Sequence, residues 1–279
     1  MQENHTEIAL LKEQLRQQQQ LTEHYEALYH QVREKMTQLE LRNEERPYAY
    51  KYPHPAVATD CVIFSLGKKR KLQVLLIQRG GAPYKDAWAL PGGFLQMGNG
   101  YRETLEECAK RELFEETGYA KADLIEQLHV YSEVDRDPRE RVISVAFYAL
   151  VKQELVRGGD DAQKAEWFDI DSLPDFLAFD HAQILSAAKN KLKEQIYFQP
   201  IGFDLLPEVF KMSDLKHLYE TILETTFDRR NFYKKMNALG ILEQVEERPE
   251  GTSSRIPIKY RFNKKVYDEF KKKGFRLEF

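Results

Sequence analysis

The chain has 279 residues, with 42 basic and 45 acidic side chains and a formal net charge of −3. That length predicts about two domains at roughly 150 residues each, and the near-neutral balance excludes a global field for a polyanion, so any nucleic-acid surface has to be local. Apolar runs such as 61–66 and 72–77 fall far short of the roughly 20 residues of a membrane span. Two cysteines, Cys61 and Cys108, make no disulfide framework; with no segment that reads as a signal peptide, the expectation is a cytoplasmic protein without a membrane partner.

Residues 1–44 contain no Pro or Gly. Ile8, Leu11, Leu15, Gln18, Thr22, Tyr25, Tyr29, Val32, Met36 and Leu39 recur at alternating spacings of three and four. This 3.5-residue period predicts a coiled-coil dimerisation helix, weakened at Gln18 and Thr22. An amphipathic helix packed on its own domain is the alternative. Pro47, Pro53 and Pro55 end the helix.

Residues 53–198 read as a mixed α/β domain. Strands are expected at 57–66, 72–78, 125–132, 142–151 and 165–168, the first two joined across 67–71. A helix is expected from 103 to 117, stopped by Gly118, and another from 180 to 197 with Ile184, Ala187, Ala188, Leu192 and Ile196 on one stripe. Strands around central helices argue an α/β sandwich.

Residues 202–279 predict a second domain. Ser213 is the expected N-cap of a helix over 214–223, with Leu215, Leu218, Tyr219 and Ile222 forming its apolar stripe. A second helix over 228–239 stops at Gly240. Strands follow at 241–246 and 258–262, with a loop between them, and a last helix starts near Lys264. Helix, turn, helix and hairpin is the order of a winged helix-turn-helix.

The sharpest chemical signal is the run Arg111-Glu112-Leu113-Phe114-Glu115-Glu116-Thr117-Gly118. On a helix, Glu115 and Glu116 fall three and four residues after Glu112, so the three carboxylates share a face and repel unless a cation neutralises them. Oxygen donors suit a hard divalent cation. Arg111, four residues before Glu115, is placed to orient it. Gly92 and Gly93 lie upstream, suited to close backbone approach. Between two strands, Asp135, Arg136, Asp137, Pro138 and Arg139 form a charged loop whose arginines suit phosphate recognition.

The helix over 228–239 is the second signal. Phe232, Met236 and Leu239 take one face and leave Arg229, Arg230, Tyr233, Lys234 and Asn237 to the others, a pattern suited to a DNA major groove. Residues 202–279 carry 16 basic against 13 acidic side chains, whereas the remainder of the chain is acidic. Arg255, in the expected wing, could reach backbone or minor groove.

Together Gly93, Glu103 and the Arg111–Gly118 run resemble the Nudix box; residues 103–118 match its fixed positions. Gly93 and Glu103 stand further apart than in that pattern, which a four-residue insertion at 99–102 accounts for. Gln96 stands where many relatives carry an acid. The C-terminal run Phe203-Asp204-Leu205-Leu206-Pro207, with Leu215, Leu218-Tyr219-Glu220, Asp228-Arg229-Arg230-Asn231-Phe232, Lys235 and Leu239-Gly240, resembles the Nudix-related transcriptional regulators of the NrtR type. The resemblance implies a Nudix α/β/α sandwich followed by a winged helix, in a bacterial dimer that responds to ADP-ribose or a related metabolite.

Carried onto this chain, the resemblance implies Mg²⁺ or Mn²⁺ at Glu112, Glu115 and Glu116, with Arg111 and Glu103 completing a catalytic set if the box is active. It implies ligand contacts from Gly92, Gly93, Arg136 and Arg139. Arg229, Arg230, Asn231, Tyr233, Lys234, Lys235 and Arg255 would face a palindromic double-stranded operator. The rival reading is a Mg²⁺-dependent pyrophosphohydrolase acting on a nucleoside diphosphate sugar.

Overall fold

The computed structural model describes residues 16, 25, 28, 29, 31–33, 35, 51–98, 101–117, 125–153, 162–198, 203–245 and 258–273. Two compact units partition the chain: residues 1–52 with 97–102, and residues 53–96 with 103–279. In the first unit, the described residues between Arg16 and Lys35 are helical and exposed, Tyr25, Tyr29 and Val32 among them. The rest of the expected coiled coil lies outside the described residues.

In chain order the strands and helices begin β1 (Ala56–Leu66), β2 (Leu72–Arg79), β3 (Trp88–Ala89), β4 (Gly92–Phe94), β5 (Met97–Gly98) and β6 (Tyr101–Arg102). They continue α1 (Leu105–Thr117), β7 (Ile125–Tyr131), β8 (Val142–Leu150), β9 (Ala162–Asp169) and α2 (His181–Phe198). The last domain holds β10 (Val209–Lys211), α3 (Met212–Leu223), α4 (Arg229–Ala238), β11 (Leu242–Val245), β12 (Lys259–Phe262) and α5 (Lys264–Lys273).

One sheet organises the Nudix-like domain. β1 and β8 pair in parallel from Ala56 opposite Val142 to Phe64 opposite Leu150. β7 adds antiparallel to β8, and β2 adds antiparallel to β1, with β9 on its other edge. The alternation of side chains along β1 feeds two cores. Cys61 and Ile63 pack with Ala109 and Leu113 of α1. Val62 and Phe64 pack with Ile184, Ala188, Leu192 and Ile196 of α2. A strand covered on both faces reads as a continuous apolar run, as β1 does. The expected α/β/α sandwich results.

α1 starts at Leu105, two residues later than expected. Thr104 caps it: the Glu107 amide donates to Thr104 Oγ1 at 3.3 Å, and Glu107 Oε2 accepts from the Thr104 amide at 2.7 Å. Glu103 is thereby left free of the helix. Of the residues counted as an insertion, Tyr101 and Arg102 form β6, which pairs antiparallel with β5, Met97 opposite Arg102 and Gly98 opposite Tyr101; residues 99 and 100 lie outside the described residues.

In the C-terminal domain a three-stranded sheet, ordered β10-β12-β11, backs α3 and α4. Leu215, Leu218, Tyr219 and Ile222 are buried as expected, and Phe232 and Met236 meet them from α4. Ser213 is not the N-cap. α3 begins at Met212, and Asp214 Oδ2 accepts from the Lys211 amide at 3.1 Å. β10, too short to show a pattern, was not legible in the sequence. Gly240 ends α4 at φ +67°, the left-handed region its missing Cβ permits.

The two domains share one core cluster, which runs from α2 through Leu205 and Leu206 to α3. Polar ties flank it: Arg70 to Asp214 at 2.6 Å, and Lys189 and Lys193 to Glu224 at 2.5 and 2.6 Å. Among the described residues, no helix is long and apolar enough to cross a membrane.

Candidate functional site

Arg111 organises the carboxylate helix. Its Nε and Nη2 donate to both Glu103 oxygens at 2.9 and 2.8 Å, and Nη1 donates to Glu112 at 2.7 Å and Glu115 at 2.8 Å. Nη2 also reaches the Phe94 carbonyl at 3.2 Å. Glu103 accepts a further bond from the Gln96 amide at 2.6 Å. Gln96 and Glu103 therefore meet, and Glu103 reaches Arg111 despite the longer connection. The Arg111 hydrogen bonds lead the effects that hold the Glu103 carboxyl below its ordinary range.

The two glycines bring β4 against this helix. A Cβ on Gly93 would stand 2.3 Å from the Glu112 carboxyl carbon. The Gly92 amide donates to Glu116 at 2.8 Å, and a Cβ there would stand 2.2 Å from the Thr59 carbonyl oxygen. Close backbone approach is realised, in each case toward the chain's own groups. Burial pushes the Glu116 carboxyl well above its ordinary value and raises that of Glu112 as well.

The carboxylates do not close on one point. Among the described residues, no group of three acidic, histidine or cysteine side chains is placed to hold a metal. Glu116 turns to Gly92, Glu112 lies against Gly93, and Glu115 remains half exposed on Arg111. The shared face read from helical spacing is thus split by Arg111 and β4. In kind, the donor set fits a hard divalent cation: a buried Glu116 and a half-buried Glu112, whose charges burial disfavours, with Arg79 acting on Glu116 only at a distance.

The charged loop divides its arginines between two tasks. Arg136 is buried: it donates to Asp180 at 2.6 and 2.9 Å and to Asp60 at 3.1 Å. Its guanidinium pairs with carboxylates from β1 and the start of α2, a placement that loop composition does not reveal, and Arg136 also lines the cleft beside Gly92 and Gly93. Asp60 is tied further by Ser144 Oγ at 2.5 Å and by His181 Nε2 at 3.2 Å. His181 Nδ1 accepts from the Leu90 amide at 2.9 Å, which leaves the proton on Nε2 to face Asp60. Arg139 is exposed. It rests on Asp137, with Nη2 to Oδ2 at 2.7 Å, and its guanidinium lies over Phe94 at 5.1 Å.

A small open cleft joins these parts, lined by Gly92, Gly93, Phe94, Arg136, Arg139, Phe179 and Arg79 among others. Gly92, Gly93, Arg136 and Arg139 were expected there. Arg79 and Phe179 were not: neither belongs to a motif, and the fold alone brings the ends of β2 and of the segment before α2 to this mouth.

On α4, Asp228 is the N-cap, its Oδ1 accepting from the Asn231 amide at 2.9 Å. Arg229, Arg230, Asn231, Lys234 and Lys235 are exposed, while Phe232 and Met236 are buried. Tyr233 is half buried beneath the Arg229 guanidinium, 5.3 Å from its ring centroid. Arg255 lies outside the described residues.

A sandwich carrying this box, followed by a helix-turn-helix with a basic second helix, defines a Nudix-related DNA-binding protein. Residues 54–188 match the NUDIX domain, and residues 202–262 match the NrtR DNA-binding winged helix domain. The chain is 32% identical over 78% of its length to the "ADPR responsive transcriptional repressor NtrR" of Acinetobacter baylyi, covering 86% of that protein. It is 46% identical over 48% of its length to the ADP-ribose pyrophosphatase of Methanocaldococcus jannaschii, covering 73% of it. Among solved structures, Shewanella oneidensis NrtR in complex with a 27mer DNA superposes with a TM-score of 0.62 at 25% identity, over 79% of this chain and 97% of that one. The chain belongs to the NrtR family of Nudix-related transcriptional regulators.

Proposed function

We propose that the protein is an ADP-ribose-responsive transcriptional regulator that binds a palindromic double-stranded DNA operator as a homodimer. The observation that carries this reading is α4, whose Arg229, Arg230, Asn231, Lys234 and Lys235 are exposed on a helix anchored by Phe232 and Met236. Arginine reads guanine, asparagine reads adenine, and lysine holds phosphate. Arg255, outside the described residues, would add a contact to backbone or minor groove. The Acinetobacter relative's ADP-ribose response supports assigning the cleft to that ligand.

The linkage is physical. ADP-ribose bound near Gly92, Gly93 and Arg139 changes operator affinity to the extent that it binds unequally to the two arrangements of the dimer. The core shared by α2 and α3 and the Arg70–Asp214 tie provide the mechanical route between cleft and α4. Mg²⁺ or Mn²⁺ would be held by Glu112, Glu115 and Glu116, and would neutralise diphosphate charge when bound. The N-terminal helix would reinforce the dimer through its heptad seam.

Fluorescence anisotropy with DNA from the gene's own upstream region, at two salt concentrations and with random DNA as competitor, tests the reading. Saturable binding that resists the competitor and shifts with ADP-ribose supports it. Operator binding indifferent to ADP-ribose overturns the ligand assignment.

A second reading, Mg²⁺-dependent hydrolysis of a nucleoside diphosphate sugar, is favoured by the complete set of Glu103, Arg111, Glu112, Glu115 and Glu116 and by the hydrogen bonds from Arg111 to Glu103, Glu112 and Glu115. Turnover of ADP-ribose that Glu115→Gln abolishes supports it, and its absence across a panel of ADP-ribose, NAD⁺ and nucleoside triphosphates rejects it.

A further inference from the structure

The turn between β1 and β2 is an unbroken run of cations. Lys68, Lys69, Arg70 and Lys71 follow Gly67, and all four are exposed. The run stands in the Nudix domain, outside the segment 202–279 that carries the excess of basic residues. Two backbone hydrogen bonds close the turn, from the Gly67 amide to the Lys71 carbonyl at 2.9 Å and from the Arg70 amide to the Gly67 carbonyl at 2.7 Å. Lys68 and Lys69 therefore occupy its tip.

Arg70 takes the left-handed backbone, with φ +59°, at a place that hairpin turns ordinarily give to glycine. Both of its ends are engaged by α3, the first helix of the helix-turn-helix. The Arg70 carbonyl accepts from His217 Nε2 at 3.1 Å and from Thr221 Oγ1 at 3.4 Å, and the guanidinium donates to Asp214 at 2.6 Å. Asp214, His217 and Thr221 form one stripe along α3. The turn is thus fixed to the flank of that helix.

The acids along this seam do not absorb the charge of the tip. Asp214 is met by Arg70, Glu220 by Lys216, and Glu224 by Lys189 and Lys193. Asp169 is met by Lys71 at 3.4 Å and feels Lys69 at longer range. Asp171, exposed on the same seam as Lys69, is left facing two lysines. Among the described residues neither Lys68 nor Lys69 forms an ion pair.

In a helix-turn-helix the first helix crosses the DNA backbone while the second enters the groove. A cationic tip fixed along the first helix is carried toward that backbone. Ammonium groups serve there as point charges and need no base edge. We propose that the β1–β2 turn is a second DNA contact, contributed by the Nudix domain: Lys68 and Lys69 hold operator phosphates beside the winged helix, and Arg70 anchors the turn. The inference rests on the operator reading of the preceding subsection. Because the turn belongs to the domain assigned to the ligand, a shift between the two domains would alter phosphate contact directly.

Fluorescence anisotropy of the full chain provides the test, on DNA from the gene's own upstream region and on random DNA. Each lysine on a phosphate adds about 0.9 to the slope of log affinity against log salt. Lys68→Gln/Lys69→Gln should therefore lose about 1.8 from that slope, so its deficit against the native protein is roughly tenfold larger at about 50 mM than at about 200 mM salt. The slope should fall alike on both DNAs, because phosphate contacts carry no sequence information. Lys85→Gln/Lys164→Gln, at two exposed lysines toward the other end of β2, should keep the native slope. Thermal melting and ADP-ribose affinity should be native in both double variants. A native slope in the tip variant, or an equal fall in the control pair, overturns the inference and leaves the operator reading intact. A native protein that binds neither DNA at low salt overturns the operator reading, and the inference with it.

Discussion

Arg136 donates two hydrogen bonds to Asp180, at 2.6 and 2.9 Å, from a side chain only 4% exposed. The pair pins the loop between β7 and β8 to the start of α2, with Asp60 of β1 as the third member. Removing the cation leaves two carboxylates in a buried setting. Arg136→Ala should therefore cost on the order of 3–5 kcal/mol in urea denaturation, the range for breaking a buried pair. Arg139→Ala, at an exposed position, should leave the urea midpoint close to native and weaken ADP-ribose binding instead. Equal stability losses in both would remove the division of labour drawn between these arginines.

Asp60 makes stability depend on acid. Burial alone would raise its pKa, but the His181 ring, Arg136 and Ser144 more than offset burial and hold the carboxyl at about 2, against an ordinary 3.8. Because the unfolded chain takes up the proton first as pH falls, the native state gains about 2 kcal/mol above the ordinary value, lost as pH falls through 4 toward 2. Ser144→Ala, which removes the 2.5 Å hydrogen bond, should move acid unfolding to higher pH in a circular-dichroism titration. An unchanged acid midpoint would show that the network does not set it.

Gly92 and Gly93 should fail in different ways. A methyl at Gly92 meets the Thr59 backbone carbonyl at 2.2 Å, so Gly92→Ala has to separate β4 from β1. Overpacking of this kind costs about 1–3 kcal/mol. A methyl at Gly93 meets only the end of the Glu112 side chain, which can swing away. Gly93→Ala should melt near the native temperature yet bind Mn²⁺ more weakly in a metal titration. Native Mn²⁺ affinity in that variant would remove Glu112 from the metal set.

Asp228 caps α4, and its loss should reach DNA through the helix. Asp228→Ala removes the acceptor of the Asn231 amide and should cost about 1 kcal/mol. Fraying would begin at Arg229 and Arg230, so anisotropy should record weaker operator binding from a change that removes no cation. Arg230→Ala should weaken binding while lowering the salt slope by about one if it contacts phosphate. A slope unchanged in Arg230→Ala would place the contact on a base edge or off the DNA.

The sequence by itself determined the order of elements and their buried faces. Alternation along β1 and the stripes of α2 and α3 are local periodicities, and the cores follow them. The box run and the basic face of α4 were equally legible, because helical spacing places Arg111 beside Glu115 and sets Phe232 opposite Arg230. Element ends were less so: capping by Thr104 moved α1, and Asp214 moved the start of α3, since several nearby residues can serve as caps.

Only the tertiary structure decided what each charge touches. Arg136 and Arg139 are near neighbours of one type in one loop and line one cleft, yet one is held by Asp60 and Asp180 and the other stands exposed over Phe94. Arg79 and Phe179 stand a hundred residues apart and meet at 4.9 Å because β2 and the approach to α2 end at the same mouth. Spacing along a chain specifies which side of its own element a residue occupies. Which partner lies across from it depends on how distant elements pack, and that packing divides a buried ion pair from a charge left open to a ligand.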